Sequence, residues 1–117
     1  YGIYIMAADY NINITKGSTF TARLVAQDAS GNIIDLTNWS LRGYAKIKYS
    51  DVTLLVDLNP AKVAPFTSGF IDIIISAAAT ATLPVTEGVY DIEMYDSGGY
   101  VDKLMRGYVR VYPEVTY

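Results

Sequence analysis

The chain has no cysteine and no histidine. Those two absences exclude disulfides, Cys or His zinc sites, thiol nucleophiles and every histidine-based triad. Hydrolytic and metalloenzyme chemistry at neutral pH leans on these groups, so the expectation is a protein that is not an enzyme and carries no cofactor. No apolar run approaches the roughly 18 residues of a spanning helix, and no membrane partner is expected. The opening "YGIYIM" lacks a basic flank, a long apolar stretch and a cleavage site, so it does not read as a signal peptide. Met6 before "AADY" reads instead as a translation start, with Tyr1 to Ile5 upstream of it. No basic block occurs either: nine Lys and Arg are interleaved with twelve Asp and Glu, for a net charge of −3. A phosphate backbone would find no cationic stripe, and nucleic acid is not an expected partner.

What is present is apolar and aromatic. Half of the 117 residues are hydrophobic, enough for one domain with a real core and too many for a disordered chain. Tyrosine is the unusual component, with 11 copies against three phenylalanines. Its apolar ring and polar hydroxyl suit half-buried sheet faces and interfaces alike.

Alternation with a period of two recurs along the chain and reads as half-buried strands. In "YNINIT", Tyr10, Ile12 and Ile14 share a side. In "TFTARLVAQD", Phe20, Ala22, Leu24 and Ala26 share a face opposite Thr21, Arg23 and Gln27. "IIDLTNW" reads as a short extended piece. In "SLRGYAKIKY", Leu41, Gly43, Ala45, Ile47 and Tyr49 oppose Arg42, Tyr44, Lys46 and Lys48. A short strand "TLLVDL" ends at Asn59-Pro60, where proline removes a ladder donor, and "AKVAPFTS" reads as a loop. "GFIDIIIS" points Ile71, Ile73 and Ile75 inward. "GVYDIEMYD" sets Tyr90, Ile92 and Met94 against Asp91, Glu93 and Tyr95. The last strand, "VDKLMRGYVRVYP", has Met105, Val109 and Val111 on one parity and Arg106, Tyr108 and Arg110 on the other. "DASGN" and "DSGG" carry hairpin-turn chemistry.

"SAAATATLP" breaks this pattern. Alanine favours helix, Ser76 is a good N-cap, and Pro84 ends the segment. A single helical turn over Ala77 to Thr82 would carry the chain across the end of a sandwich, with Leu83 plugging it. Tyr90 then falls where immunoglobulin-like domains place a corner tyrosine; a plain loop followed by a core tyrosine is the other reading. The fold class expected is all-β: an immunoglobulin-like antiparallel β-sandwich of about seven strands with one short helical turn. The domain spans residues 10–113, between an N-terminal arm at 1–9 and a tail at 114–117. Trp39, Leu83 and Tyr90 are the expected structural residues. The apolar N-terminus either lies on a neighbouring subunit or folds back on its own sheet edge.

Three groups of residues are site candidates. Asp28, Ser30, Asn32 and Asp35 loosely resemble a calcium loop but lack its terminal glutamate; a solvated turn explains them as well, and no metal is expected. Asp91 and Glu93, about 7 Å apart on one strand face, are the only paired carboxylates for acid–base work, as a glycosidase would need. Cross-strand pairing with Arg106, Arg110 or Lys46 accounts for them without catalysis. Arg42, Tyr44, Lys46, Tyr95, Arg106, Tyr108 and Arg110 fall on outward parities and form a candidate interface, since tyrosine and arginine are enriched at binding hot spots. Simple cross-strand stabilisation of an exposed sheet is the alternative.

The order and spacing of "KGSTF", "DASGNIIDLTNW", "SAAATATLP", "GVYDIEMYD" and "RGYVRVYPEVT" resemble small β-sandwich virion proteins of tailed bacteriophages, including cyanophages. The resemblance runs from Ala8 to Thr116. It implies a non-enzymatic structural subunit of a phage particle, in capsid decoration, neck, tail or baseplate. Its location would be the virion and its partners other virion proteins and further copies of itself, as a homo-oligomer. A receptor- or glycan-binding module, with tyrosines stacking on sugar rings, is the alternative function.

Overall fold

The computed structural model describes residues 4–5, 11–28, 30–48 and 50–113. In chain order the strands are β1 (Tyr4–Ile5), β2 (Ile12–Thr15), β3 (Phe20–Val25), β4 (Ser40–Lys46), β5 (Val56–Asp57), β6 (Ala61–Lys62), β7 (Phe70–Ile75), β8 (Glu87–Tyr95) and β9 (Val101–Tyr112). One short helix, α1 (Ala77–Ala81), joins β7 to β8. The strands form two sheets, of order β1-β3-β7-β6 and β2-β9-β8-β4-β5. The fold is all-β, and the four-stranded sheet curls like half a barrel.

Alternation places the core between the sheets. Ala22, Leu24, Ile71, Ile73 and Ile75 come from the curled sheet; Ile12, Ile14, Ala45, Tyr90, Ile92, Met94, Met105, Val109 and Val111 come from the other. Three leucines on connections fill the remaining space: Leu36, Leu58 and Leu83, all buried. Burying a leucine side chain stabilises by about 1.5–3 kcal/mol, which explains why these connections lie close over the core. Tyr90 is fully buried, as either a core or a corner tyrosine must be, and it is not without a partner. Trp39 packs against the core edge and meets the Tyr100 ring edge-on at 5.6 Å.

Several details differ from the sequence expectation. There are nine strands among the described residues rather than about seven, because β1, β5 and β6 are two-residue pairings. "TLLVDL" is strand only at Val56–Asp57, and the supposed loop "AKVAPFTS" contains β6 and a 3-10 turn at Phe66–Ser68. β4 stops at Lys46, and Ile47 is exposed. Pairing is not wholly antiparallel: β2 runs parallel to β9 and β1 parallel to β3. Tyr4–Ile5 therefore sits on this chain's own sheet edge. Tyr10, Tyr49, the remainder of the N-terminal arm and the 114–117 tail lie outside the described residues.

The register defines two ends. Ser40 pairs with Tyr95 and Val25 with Phe70, so the 26–39, 63–69 and 96–100 connections share one end, the hairpin end. Thr15 pairs with Tyr112 and Phe20 with Ile75, so the 16–19 turn, the 47–55 loop and the helical crossover share the other, the helix end. At the hairpin end the same turn occurs twice. Asp28 Oδ1 accepts from the backbone of Ser30 (2.9 Å) and Asn32 (3.0 Å); Asp96 Oδ1 accepts from Gly98 (2.9 Å) and Tyr100 (3.0 Å).

The helix end is closed by one hydroxyl. Ser76 caps α1 as expected, accepting from Ala79 N at 3.2 Å, and Thr82 ends the helix as its C-cap. Thr80, fully buried, donates to Ser18 O (2.8 Å) and accepts from Gly17 N (3.1 Å), which ties the crossover to the β2–β3 turn. The alanines around it let the helix approach that closely. Gly88 contributes a second close approach rather than a turn: a Cβ there would lie 2.4 Å from Lys46 O.

Two outcomes follow for unfolding in urea. Thr80→Val keeps the side-chain shape but leaves the Gly17 and Ser18 groups unpaired, and lowers stability by about 1–3 kcal/mol, whereas Thr80→Ser retains most of it. Gly88→Ala forces β8 away from β4 and costs at least about 1–3 kcal/mol.

Candidate functional site

The seven residues of the candidate interface lie together on the outer face of the five-stranded sheet. β4 contributes Arg42, Tyr44 and Lys46, β8 contributes Tyr95, and β9 contributes Arg106, Tyr108 and Arg110. Register sets them in rows across the strands. Arg110 faces Glu87, Tyr108 faces Val89 and then Lys46, and Arg106 faces Asp91 and then Tyr44. Lys103 faces Glu93, which faces Arg42. Every acidic residue on the central strand thus has a cationic neighbour on β9, an arrangement that stabilises an exposed sheet face. Arg106 stands directly across from Asp91 and is not without a partner.

Lys103 and Arg42 were not among the partners expected for the two central carboxylates. Lys103 Nζ bridges them, at 2.8 Å from Asp91 and 2.7 Å from Glu93. Arg42 Nε closes on the other side of Glu93 and lays its guanidinium over the Tyr95 ring, 4.7 Å from the centroid. Arg110 pairs with Glu87 at 2.8 Å instead of reaching the Asp91–Glu93 pair. Lys46 makes no ion pair among the described residues.

Lys103 could not be placed by parity alone, because it shares the odd parity of buried Met105. The ladder shifts there: Ile92 pairs with Met105 but Glu93 with Lys103, leaving Leu104 as the extra residue of a β-bulge. The signal in the sequence was a lysine on a parity otherwise reserved for the core.

The cationic neighbours of Glu93 favour its charged form. The Lys103 ammonium, followed by Arg42, keeps the Glu93 carboxyl below its ordinary value, outweighing the burial that would raise it. A glycosidase acid needs the opposite shift. In turn, Asp91 and Glu93 hold the Lys103 ammonium above its usual value. Only 14% of the Glu93 side chain is exposed, against 62% of Lys103. The carboxylate is therefore the half-buried partner whose charge must be met.

Two shallow depressions flank this cluster. One, of about 230 Å³, is lined by Tyr44, Lys46, Val89, Asp91, Glu93 and Lys103. The other, of about 410 Å³, lies at the β2 side between Tyr108, Tyr112, Asn11, Asn13, Glu87 and Arg110. Asn11, Asn13 and Tyr112 had not been singled out from sequence. Tyr108 is 66% exposed, the most of any tyrosine described, and Tyr44 is 40% exposed. The residues that loosely resembled a calcium loop are built into turns: Asp28 serves backbone donors, and Asp35 accepts from Thr37 N at 2.9 Å. Among the described residues no group of three acidic side chains is placed to hold a metal ion.

Comparison with known proteins adds no identification: no protein-family model matches the chain, and no curated protein matches it.

Because the Glu93 carboxyl is depressed in the folded state, its contribution to stability is present above its ordinary value near 4.5 and is lost as pH falls through the lower folded value. In urea titrations from roughly pH 5 to pH 3, Glu93→Gln should therefore show a shallower loss of stability than the parent chain. Parallel curves would assign the acid sensitivity to other carboxylates.

Proposed function

We propose that this chain is a non-enzymatic structural subunit of a phage particle, acting by packing against other virion proteins and further copies of itself. The observation that carries the reading is the gathering of Arg42, Tyr44, Lys46, Tyr95, Arg106, Tyr108 and Arg110 on one sheet face. On that face the central charges are already neutralised within the chain, and Tyr44 and Tyr108 stand exposed. Such a face loses little by desolvation of unpaired charge when covered, and it offers rings of the kind that anchor interfaces. The ordered resemblance of "KGSTF" through "RGYVRVYPEVT" to virion sandwiches supports the same reading. The depressed Glu93 carboxyl speaks against a general acid at that position.

The finer fold belongs to this proposal. The order β1-β3-β7-β6 opposite β2-β9-β8-β4-β5 corresponds to the immunoglobulin-like arrangement, with an edge strand divided between the sheets and Tyr90 on the sixth strand of the pattern. The parallel β1 pairing and the curled sheet depart from it.

A second reading rests on the larger depression. Tyr108 and Tyr112 stand at its two ends, with Asn11, Asn13 and the Arg110–Glu87 pair between them. Rings with planar polar groups between them suit a neutral glycan, and would make the chain a glycan-binding module of the particle.

Mass spectrometry of gradient-purified particles from the host that expresses the chain tests the main reading. The chain is expected in the particles in many copies. A Tyr44→Ala/Tyr108→Ala double variant, which changes only exposed rings, should fold normally yet be depleted from them. A chain abundant in the lysate and absent from the particles would overturn the proposal. Binding of the isolated chain to host cell-wall glycan, lost on Tyr108→Ala, would favour the second reading.

A further inference from the structure

The charges that the outer sheet face does not neutralise are sorted by sign to the two ends of the molecule. At the hairpin end, Asp28, Asp35 and Asp102 are exposed and Asp96 is half-buried, and none of the four forms an ion pair among the described residues. The cation nearby is Lys62, whose ammonium is already occupied by Leu36 O at 3.2 Å and the Phe66 ring at 4.5 Å. At the helix end, among the described residues, Lys16, Lys46 and Lys48 are the cations without an ion pair, and Asp51, which accepts from Lys48 N at 3.1 Å, is the acid without one. Asp57 lies between the ends on β5. Glu87 and Arg110 at the helix end cancel each other.

We infer that the partner of each end is the opposite end of a second copy, so that the chain associates head to tail. Joining unlike ends brings four carboxylates towards three ammonium groups; joining like ends sets equal charges against each other. Such a contact is heterologous and does not close on itself as a dimer, so it builds a ring or a filament. It supplies the repeated contact that the proposed function requires, and to that extent rests on that reading, while the sheet face stays free for a different neighbour.

Size sets the strength. β9, twelve residues long, spans about 40 Å at strand rise, matching the longest extent of the molecule, 42 Å. The cross-section is then 33 × 23 Å, an ellipse of about 600 Å² on each partner, at the lower limit for a specific interface. Exposed charges at such a contact are screened within about 10 Å at 0.1 M salt. The association is accordingly weak, salt-sensitive and suited to an array in which many contacts act together.

The test is sedimentation velocity of the full chain at about 0.01 M and about 1 M salt, with two reversed variants. Lys16→Glu/Lys48→Glu makes both ends acidic. Asp102→Lys with Asp28→Asn and Asp96→Asn makes the hairpin end cationic, and asparagine keeps the carbonyl acceptor both turns use. Circular dichroism and thermal melts establish that each variant is folded. The parent chain is expected to associate at low salt and dissociate at high salt, each variant alone to sediment as a monomer, and an equimolar mixture of the two variants to associate again. A parent chain that stays monomeric at low salt up to millimolar concentration would overturn the inference. So would association that survives either reversal, or a mixture that fails to restore it. Because the readout is self-association of the purified chain, it is decided separately from whether the chain is found in particles.

Discussion

A single extra residue in the last strand decides where the charge of this protein lies. Leu104 bulges out of the β8–β9 ladder and turns Lys103, which parity would bury beside Met105, onto the outer face. There its ammonium meets Asp91 and Glu93 together. Without the bulge, a lysine would face the core and two neighbouring carboxylates would lack that shared counter-ion. With it, the centre of the five-stranded sheet is electrostatically closed: Arg42 and Lys103 grip Glu93 from both flanking strands, and Arg42 lies over Tyr95. Of the charges left unpaired among the described residues, four acids lie toward one end and three lysines toward the other.

The scaffold beneath this face depends on connections that work as core. Leu36, Leu58 and Leu83 sit in three of the stretches that carry the chain from one sheet to the other, and each is buried. Lys62 holds the first of them by its Leu36 carbonyl, and Thr80 holds the helical crossover against the β2–β3 turn. Each end is therefore tied to the core at one of its connections.

Much of this was legible in the residues, for a simple reason: each sheet buries one face, so period-two alternation writes the core directly. The inward isoleucines of β7, the alternation of β8 and the Ser76-capped helix follow from local pattern and hold in three dimensions. The outward set from Arg42 to Arg110 was found by parity and does share a face. What local pattern could not supply was non-local. The two-residue strands β1, β5 and β6 exist only because a neighbouring strand is there to receive them. Leu36 reads as part of an extended segment until the fold brings Phe66 O to its amide, 3.0 Å away. Lys103 was missed as a Glu93 partner because a bulge shifts register without changing composition. The bonding of Thr80 to Gly17 and Ser18 joins residues more than sixty positions apart.

The central claim is that unlike ends of two copies meet, and zero-length carbodiimide cross-linking at low salt addresses it most directly. Lys103 and Asp91, 2.8 Å apart within one chain, provide an internal control for the reaction. Lys16 or Lys48 cannot reach Asp28, Asp96 or Asp102 of the same molecule, because they lie at opposite ends of a body 42 Å long. Mixed light and ¹⁵N-labelled chains then identify links between molecules by mass. The account predicts amide links from Lys16 or Lys48 to Asp96 or Asp102 between light and heavy chains, lost at high salt. If the Lys103–Asp91 link forms and no end-to-end link accompanies it, the account is contradicted.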